Sequence, residues 1–271
     1  MKILVLDGYN LIHRARWSPM GKVHPGDGMT FSFFRSLKAI VEQFNPDKAY
    51  LVLEGYPKLR HEAIPDYKGT RKKIEDESFH TQKDEIIRLC KESLPLTVIR
   101  HPDFECDDVI GFLTRQRHTA DKCTIISTDT DFIQLLTNPN TRLYNPIKKK
   151  YTEAPPFNYV QWKALRGDSA DNVVGFKGIG DKRAAKLLEN RDLLFEFLDS
   201  QDNREKFAKN CFLISLHDYI LNTKIDLLEE VDSSFNWSQC RKFFKDKGFG
   251  SMLNTTYSTI FKKVFSNLEN K

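Results

Sequence analysis

Nine acidic side chains either follow short apolar segments of the sequence or begin the helices expected after them. They are Asp7, Glu54, Glu105, Asp107, Asp108, Asp129, Asp131, Asp168 and Asp171. Carboxylates gathered at one edge of a parallel sheet repel one another, and some would take up protons unless divalent cations shared the pocket. Divalent cations held by such oxygen ligands support phosphodiester hydrolysis. The pattern therefore predicts a metal-dependent phosphodiesterase.

Two local clusters carry most of this interpretation. The first places Glu105, Asp107 and Asp108 at the start of a helix. The helix macrodipole favours such acids by only about 0.3–1 kcal/mol, which explains one or two of them but not three in four residues. The second cluster, Asp129 and Asp131, follows a strand, where helix capping is the alternative interpretation. Together the clusters favour two groups of metal ligands.

A glycine-rich segment between residues 174 and 188 predicts a hairpin that leads into a helix. Gly178 and Gly180 allow a tight turn and a close approach by another chain, and amides at the helix start can bind a phosphate. Three basic side chains add attraction that is independent of sequence: Lys182, Arg183 and Lys186. The segment is typical of a helix-hairpin-helix motif, and an ordinary glycine-rich loop is the alternative.

The segment from residue 58 to residue 73 is strongly basic, with six Lys or Arg residues against two acids. A solvated charged loop would explain this composition. However, the segment follows directly after the strand that ends near Glu54, where the acidic pocket is expected. That position favours a clamp over a negatively charged substrate.

The apolar periodicity predicts an α/β fold. Short apolar segments at residues 3–6, 49–53, 97–99, 123–127 and 141–144 predict buried strands, and helical patterns lie between them. This alternation predicts a mostly parallel sheet flanked by helices, with ligands bound beyond the carboxyl ends of the strands. Beyond residue 150 the pattern predicts helices only.

Composition excludes several classes of protein. The 271 residues carry 42 Lys or Arg against 37 Asp or Glu, a net charge of +5, and 40% of them are hydrophobic. The five cysteines form no Cys-x-x-Cys pair, so reduced buried thiols are expected. The first apolar segment is too short for a signal peptide or a membrane span. We expect a cytoplasmic protein in a bacterial or phage-infected cell.

Five ordered motifs resemble the flap endonuclease / 5′-3′ exonuclease family, above all its bacterial and bacteriophage branch and the 5′ nuclease domain of DNA polymerase I. They are Val5-Leu6-Asp7-Gly8, Tyr67-Lys68-Gly69-Thr70-Arg71, Glu105-Cys106-Asp107-Asp108, residues 127–135 and residues 166–172. The glycine-rich hairpin follows them, as it does in that family. The resemblance spans essentially the whole chain.

The resemblance implies a PIN-like nuclease core over residues 1–155, with a helical arch or clamp near 57–85. It also implies a helix-three-turn-helix subdomain over residues 156–271, with the helix-hairpin-helix near 172–190. Two Mg²⁺ or Mn²⁺ ions are implied, and a K⁺ ion can lie at the hairpin. Residues 7, 54, 105, 107 and 108 would hold the first metal ion, and residues 129, 131, 168 and 171 the second.

By the same resemblance, Lys68 and Arg71 contact the scissile phosphate, and Tyr67 lies near the 5′ end of the substrate. The family usually has Asp where this chain has Glu54, so that ligand would reach its metal with one more methylene. The implied activity is structure-specific 5′ cleavage of DNA flaps, nicks or ends, and of RNA annealed to DNA. Primer removal in replication and repair is an example of such work, and a monomer is expected.

Two alternatives use the same residues. A PIN-type ribonuclease would share the fold and the acids, but it would not need the duplex anchor that the hairpin predicts. A protein that binds DNA junctions without cutting would not need clustered carboxylates, which repel DNA when no cation neutralises them.

Overall fold

The apolar segments form one seven-stranded sheet in the computed structural model, which describes residues 1–24, 26–70 and 76–271. Its strand order is β6-β5-β4-β1-β2-β3-β9. The strands are β1 (Lys2–Asp7), β2 (Lys48–Val52), β3 (Thr97–Arg100), β4 (Lys122–Ile126), β5 (Thr141–Asn145), β6 (Lys150–Thr152) and β9 (Glu229–Asp232). The five central strands pair in parallel, and β6 and β9 are antiparallel edges.

Helices cover the sheet and form a second part of the molecule. In the first half they are α1 (Gly8–Arg16), α2 (Gly28–Phe44), α3 (Lys58–Ala63), α4 (Glu77–Ser93) and α5 (Cys106–Phe112). The second half contains α6 (Tyr159–Arg166), α7 (Asp181–Glu189), α8 (Arg191–Phe197), α9 (Gln201–Ile214), α10 (Asp218–Asn222), α11 (Trp237–Asp246), α12 (Gly250–Leu253) and α13 (Thr255–Glu269). A two-stranded ribbon, β7 (Gly167–Asp168) and β8 (Val173–Val174), follows α6. None of the described helices is long and apolar enough to span a membrane.

The core has one layer on each face of the sheet, because neighbouring residues of a strand point to opposite faces. Leu4 and Leu6 of β1 belong to the layer formed with α2, α4 and the C-terminal helices. Ile3 and Val5 belong to the layer formed with α5. Since these strands are covered on both sides, they are continuously apolar, as the sequence indicated.

The order of the strands determines where the acids gather. The chain builds β1, β2 and β3 outward in one direction, then crosses to the other side of β1 to add β4 and β5. Where the connections from two adjacent parallel strands run toward opposite edges of the sheet, a crevice opens at the carboxyl ends of those strands. Asp7 ends β1 and therefore lies at this crevice.

The expectation of helices alone beyond residue 150 is wrong. Strands β6 and β9 extend the main sheet, and α11 and α13 pack onto the core beside α2 and α4. Strand β9 was missed because three of its four residues are acidic. Each of the three has an ion-pair partner: Arg100 for Glu229, Arg117 for Glu230 and Lys48 for Asp232. The division of the chain into residues 1–155 and 156–271 stays a prediction.

Candidate active site

A cleft of about 420 Å³ opens at the carboxyl edge of the central strands. Seven of the nine predicted carboxylates line it: Asp7, Glu54, Asp107, Asp129, Asp131, Asp168 and Asp171. Three basic side chains line it as well: Lys68, Lys163 and Arg166. The cleft therefore brings together acids from five separate segments of the chain, and the acids outnumber the basic side chains.

Asp7 is fixed by hydrogen bonds on both carboxylate oxygens. As the N-cap of α1, its Oδ1 accepts a bond from the Asn10 amide at 3.0 Å, and the Cys106 thiol approaches the same oxygen at 3.7 Å. Its Oδ2 accepts a bond from the Ser127 hydroxyl at 2.7 Å. Burial raises the pKa of Asp7 to about 6, despite these bonds, and the charge of Asp129 adds to the increase.

The neighbouring carboxyls are also costly to ionise. Burial raises the pKa of Glu54 to about 8, with Glu105 and Asp7 contributing by repulsion. Burial also raises the pKa of Asp107 well above its ordinary value, and Asp129 adds the largest repulsion. A divalent cation would favour the ionised forms, and hard divalent ions prefer such oxygen ligands. The chemistry of the donor set therefore fits the metal ions expected from the sequence.

A second carboxylate group lies beside this one. Ligand oxygens of Asp131, Asp168 and Asp171 all lie within 4.8 Å of one another. The buried Lys163 ammonium contacts Asp131 and lies 2.5 Å from Asp168 Oδ2. Burial raises the pKa of Asp131 to about 6, although Lys163 opposes the increase. For Asp168, burial favours a higher pKa, but the hydrogen bond and charge of Lys163, with smaller contributions from the Ala170 amide and Arg166, together lower the pKa.

Lys163 was missed at the sequence level. It lies in α6, one helical turn before Asp168, and nothing in the local pattern indicates that its side chain is buried. Its burial results from the packing of α6 against the core, which brings the ammonium to Asp131. Lysine is rarely this buried without an acidic partner, so the carboxylate cluster explains its position.

The remaining two predicted ligands, Glu105 and Asp108, do not line the cleft, because Arg60 holds them. Glu105 is 2% exposed and Asp108 is fully buried. Arg60 donates to Glu105 Oε2 at 2.7 Å and to the two Asp108 oxygens at 2.7 and 2.9 Å. Asp108 also accepts bonds from the amides of His217, at 2.8 Å, and Glu105, at 3.2 Å.

Asp108 therefore has no oxygen to spare for a metal ion. Burial alone would raise its pKa, but the charge and hydrogen bonds of Arg60, together with His217, outweigh burial and lower the pKa. In this structure the Asp108 carboxylate is the ion-pair partner of Arg60, and the expectation that it holds the first ion stays a prediction. No sequence pattern indicated this pair, because Arg60 lies within a basic segment that predicted a clamp over the substrate.

The neighbouring residues Tyr67 and Lys68 occupy two different environments. Lys68 lines the cleft and its ammonium contacts Glu105. Its backbone has φ of 56°, a left-handed conformation that is uncommon outside glycine and is typical of functional sites. Tyr67 is buried, with its hydroxyl 3.2 Å from Glu105 Oε2 and 3.3 Å from Asp171 Oδ2. The expectation that Tyr67 lies near the 5′ end of a substrate stays a prediction. Arg71 lies outside the described residues.

The predicted hairpin forms an exposed turn before α7. Gly178 has φ of +76°, which favours glycine, and Gly180 is the N-cap of α7. A Cβ at Gly178 would meet its nearest atom at 3.8 Å, and one at Gly180 would meet none within 4 Å. Lys182, Arg183 and Lys186 are exposed on α7, whereas Ile179 is buried beneath the turn. The turn therefore presents amides and basic side chains to open space.

Comparisons with known proteins match this arrangement. The family profile of the 5′-3′ exonuclease, N-terminal resolvase-like domain, matches residues 2–162. A 5′-3′ exonuclease of Mycoplasmopsis pulmonis is 29% identical and covers 77% of this chain and 73% of its own. The thermostable DNA polymerase I of Thermus thermophilus is 30% identical over 93% of this chain. This chain spans only 33% of that polymerase.

Solved structures show the same fold. The bacteriophage T5 5′-exonuclease with bound zinc ions superimposes with a TM-score of 0.66 at 21% identity, over 82% of this chain and 92% of its own. A T5 flap endonuclease in complex with DNA and metal ions superimposes equally well. The expected mostly parallel sheet with flanking helices is therefore confirmed.

The raised pKa values predict how stability depends on pH in the absence of metal. Glu54 and Asp107 have higher pKa values in the folded chain than their ordinary ones, so the folded state binds more protons between about pH 5 and pH 8. The free energy of unfolding must then fall as pH rises through this window. In EDTA we expect the melting temperature to be lower at about pH 8 than at about pH 6.5.

The variant Glu54→Gln should reduce this dependence and be more stable than the wild type at about pH 8. Glu189→Gln, at an exposed position of α7, is the matched control and should leave the dependence unchanged. Calorimetry in EDTA measures the melting temperature of each protein at the two pH values. A wild-type melting temperature that rises between the two pH values would contradict the assignment of buried, repelling carboxyls.

Proposed function

The chain belongs to the 5′-3′ exonuclease / flap endonuclease family, and we propose that it is a structure-specific 5′ nuclease that hydrolyses DNA with two Mg²⁺ or Mn²⁺ ions. The observation that carries this proposal is the gathering of seven carboxylates in one cleft at the edge of the sheet. We extend it to RNA annealed to DNA, and to monomeric action on flaps, nicks and ends. Because the polymerase relatives are about three times as long as this chain, their other activities are not included.

The carboxylates form two candidate ligand groups. We assign Asp7, Glu54 and Asp107 to the first ion. The second ion is assigned to Asp129, Asp131, Asp168 and Asp171. When bound, two such ions activate a water molecule and stabilise the negative charge that develops on the phosphate. Glu105 lies behind the first group and acts through its contact with Lys68.

Basic side chains of the chain complete the proposed site. Lys68 lines the cleft and is held in a strained backbone conformation, which supports a position at the scissile phosphate. We keep Arg71 in this role as a proposal from the family resemblance alone. Arg166 also lines the cleft, where its guanidinium can attract a phosphate before the reaction. Lys163 neutralises two acids of the second group.

The hairpin is the proposed anchor for duplex DNA. Its exposed glycines let a phosphate backbone approach the amides at the start of α7, and the basic residues of α7 add attraction. A K⁺ ion at the turn belongs to the same proposal. Contacts of this kind read the backbone rather than the bases, so duplex binding should tolerate any sequence.

A cleavage assay tests the nuclease proposal. A 5′-flap duplex, a nicked duplex and a single strand, each labelled at the 5′ end, are incubated with Mg²⁺, Mn²⁺, Ca²⁺ or EDTA. We expect Mg²⁺- or Mn²⁺-dependent cutting, fastest on the flap. Asp107→Ala and Asp129→Ala should lower the single-turnover rate about a thousandfold or more, because charge stabilisation worth several kcal/mol is lost.

The same variants should bind the flap duplex in Ca²⁺ with nearly wild-type affinity, since these carboxylates hold ions and not the duplex. Asp226→Ala, at an exposed position outside the cleft, is the control and should cut normally. Undiminished cutting by both cleft variants would exclude the metal assignment. Preferential cutting of single-stranded RNA would favour a ribonuclease instead.

The duplex anchor is tested at Gly180. Unlike Gly178, it does not have positive φ, and a Cβ there meets nothing, so Gly180→Val should fold normally while obstructing a phosphate backbone. We expect its duplex affinity to fall about tenfold, the loss of one hydrogen bond to a charged group, with little change for a single strand. Gly250→Val, at another open glycine, is the matched control. Equal losses of affinity for the duplex and for the single strand would mean that the turn has a structural role only.

A further inference from the structure

Arg60 is the most highly connected basic side chain described outside the cleft. It is 3% exposed, and all five of its N–H groups donate hydrogen bonds. Three go to the carboxylates of Glu105 and Asp108. The other two go to the carbonyls of Leu213 at 3.0 Å and Ser215 at 2.8 Å. One side chain therefore joins three distant segments of the chain.

The two carbonyls belong to the end of α9, where the last carbonyls of a helix lack partners within the helix. In this structure each of the last four carbonyls of α9 accepts a hydrogen bond or lies within hydrogen-bond distance of a partner. The Cys211 carbonyl accepts from the Ser215 amide, and that of Phe212 lies 2.8 Å from His217 Nε2. The side-chain amide of Gln134 donates to the Ile214 carbonyl at 3.2 Å. Arg60 donates to the remaining carbonyl, that of Leu213. The guanidinium also lies at the negative end of the helix dipole, which favours a cation.

The same turn of α9 holds the strand that leads into the hairpin. The buried Asn210 amide donates to the carbonyl of Ala164 at 2.9 Å and to that of Val174 at 3.0 Å. One turn earlier, Lys206 donates to the Gly175 carbonyl at 2.7 Å. Helix α9 therefore contacts the start of the hairpin along one side and the Arg60 guanidinium at its end.

We propose that Arg60 is a positioning residue that keeps the carboxylate cleft in register with the duplex-binding hairpin, by tying Glu105 and Asp108 to the end of α9. The inference rests on the proposed function, because that function requires the hairpin and the cleft to act on the same substrate. Glu105 in turn contacts Lys68 and lies within reach of the Tyr67 hydroxyl. A displaced Glu105 would therefore move Lys68 relative to the phosphate.

Geometry explains why this position requires arginine. A planar guanidinium presents its donors in fixed directions and can pair with both oxygens of Asp108 while reaching two carbonyls. A lysine ammonium has three donors at one point and cannot reach all four groups. Arg60→Lys therefore keeps the charge but releases the end of α9. This variant therefore separates the effect of the position of α9 relative to the cleft from the effect of the positive charge.

The test compares Arg60→Lys with the double variant Arg60→Met/Asp108→Asn. The double variant removes the Arg60 and Asp108 charges together, and Glu105 keeps its contact with Lys68, so the variant should recover much of the stability that Arg60→Met alone loses. For each variant we measure Mn²⁺ affinity by calorimetry, flap-duplex affinity in Ca²⁺, and the single-turnover rate at saturating Mn²⁺ and enzyme. Arg117→Gln, which breaks a two-bond pair with Glu230 at the far edge strand, is the control.

If Arg60 sets the register, Arg60→Lys and the double variant should bind Mn²⁺ about tenfold more weakly and cut about a hundredfold more slowly. Duplex affinity should change less than about threefold, because the hairpin itself is intact. The control should match the wild type. A double variant whose rate recovers together with its stability would overturn the proposal, since Arg60 would then act on folding alone.

Wild-type behaviour separates this inference from the proposed function. A wild-type chain that neither binds Mn²⁺ nor cuts any substrate would exclude the nuclease proposal, and this inference with it. A wild type that cuts the flap, beside an Arg60→Lys variant with unchanged rate and Mn²⁺ affinity, would overturn the positioning role alone.

Discussion

Repulsion among carboxylates at one edge of the sheet is the constraint on which the rest of the structure depends. Like charges at such short range cannot all ionise without compensation. The chain supplies part of that compensation with buried cations: Arg60 beside Asp108, and Lys163 beside Asp131. Burial and mutual repulsion raise the pKa values of Asp7, Glu54 and Asp107, although Lys68 opposes the increase at Glu54 and Asp107. They are the carboxyls that gain most from a divalent ion.

The two kinds of cation do different work. Arg60 is enclosed and uses every donor, so it fixes neighbouring elements permanently. Lys68 and Lys163 line the cleft. Lys163 contacts Asp131 and Asp168 there, and Lys68 contacts Glu105 behind the cleft. An ammonium on a flexible stem can exchange such a contact for a phosphate or give way to an ion more easily than a bidentate guanidinium can. Rigid support therefore lies behind the cleft, and adjustable charge lies within it.

The fold and most of the cleft could be predicted because both follow from local patterns. Apolar segments ended by acids predicted the parallel strands and placed Asp7 and Asp129 at their ends. Spacing did not distinguish Asp107 from Asp108, although one faces the cleft and the other faces Arg60. That difference depends on which long-range partner reaches each side of α5. Strand β9 and the burial of Tyr67 were missed for the same reason, since only tertiary packing determines them.

Diffraction from crystals grown with Mn²⁺, recorded near the manganese absorption edge, tests the central claim most directly. The account predicts two anomalous peaks in the cleft. One should lie among Asp7, Glu54 and Asp107, and the other beside Asp131 and Asp168, with Lys163 displaced from them. Peaks elsewhere on the molecule, with none in the cleft and Lys163 still in contact with its two acids, would contradict it.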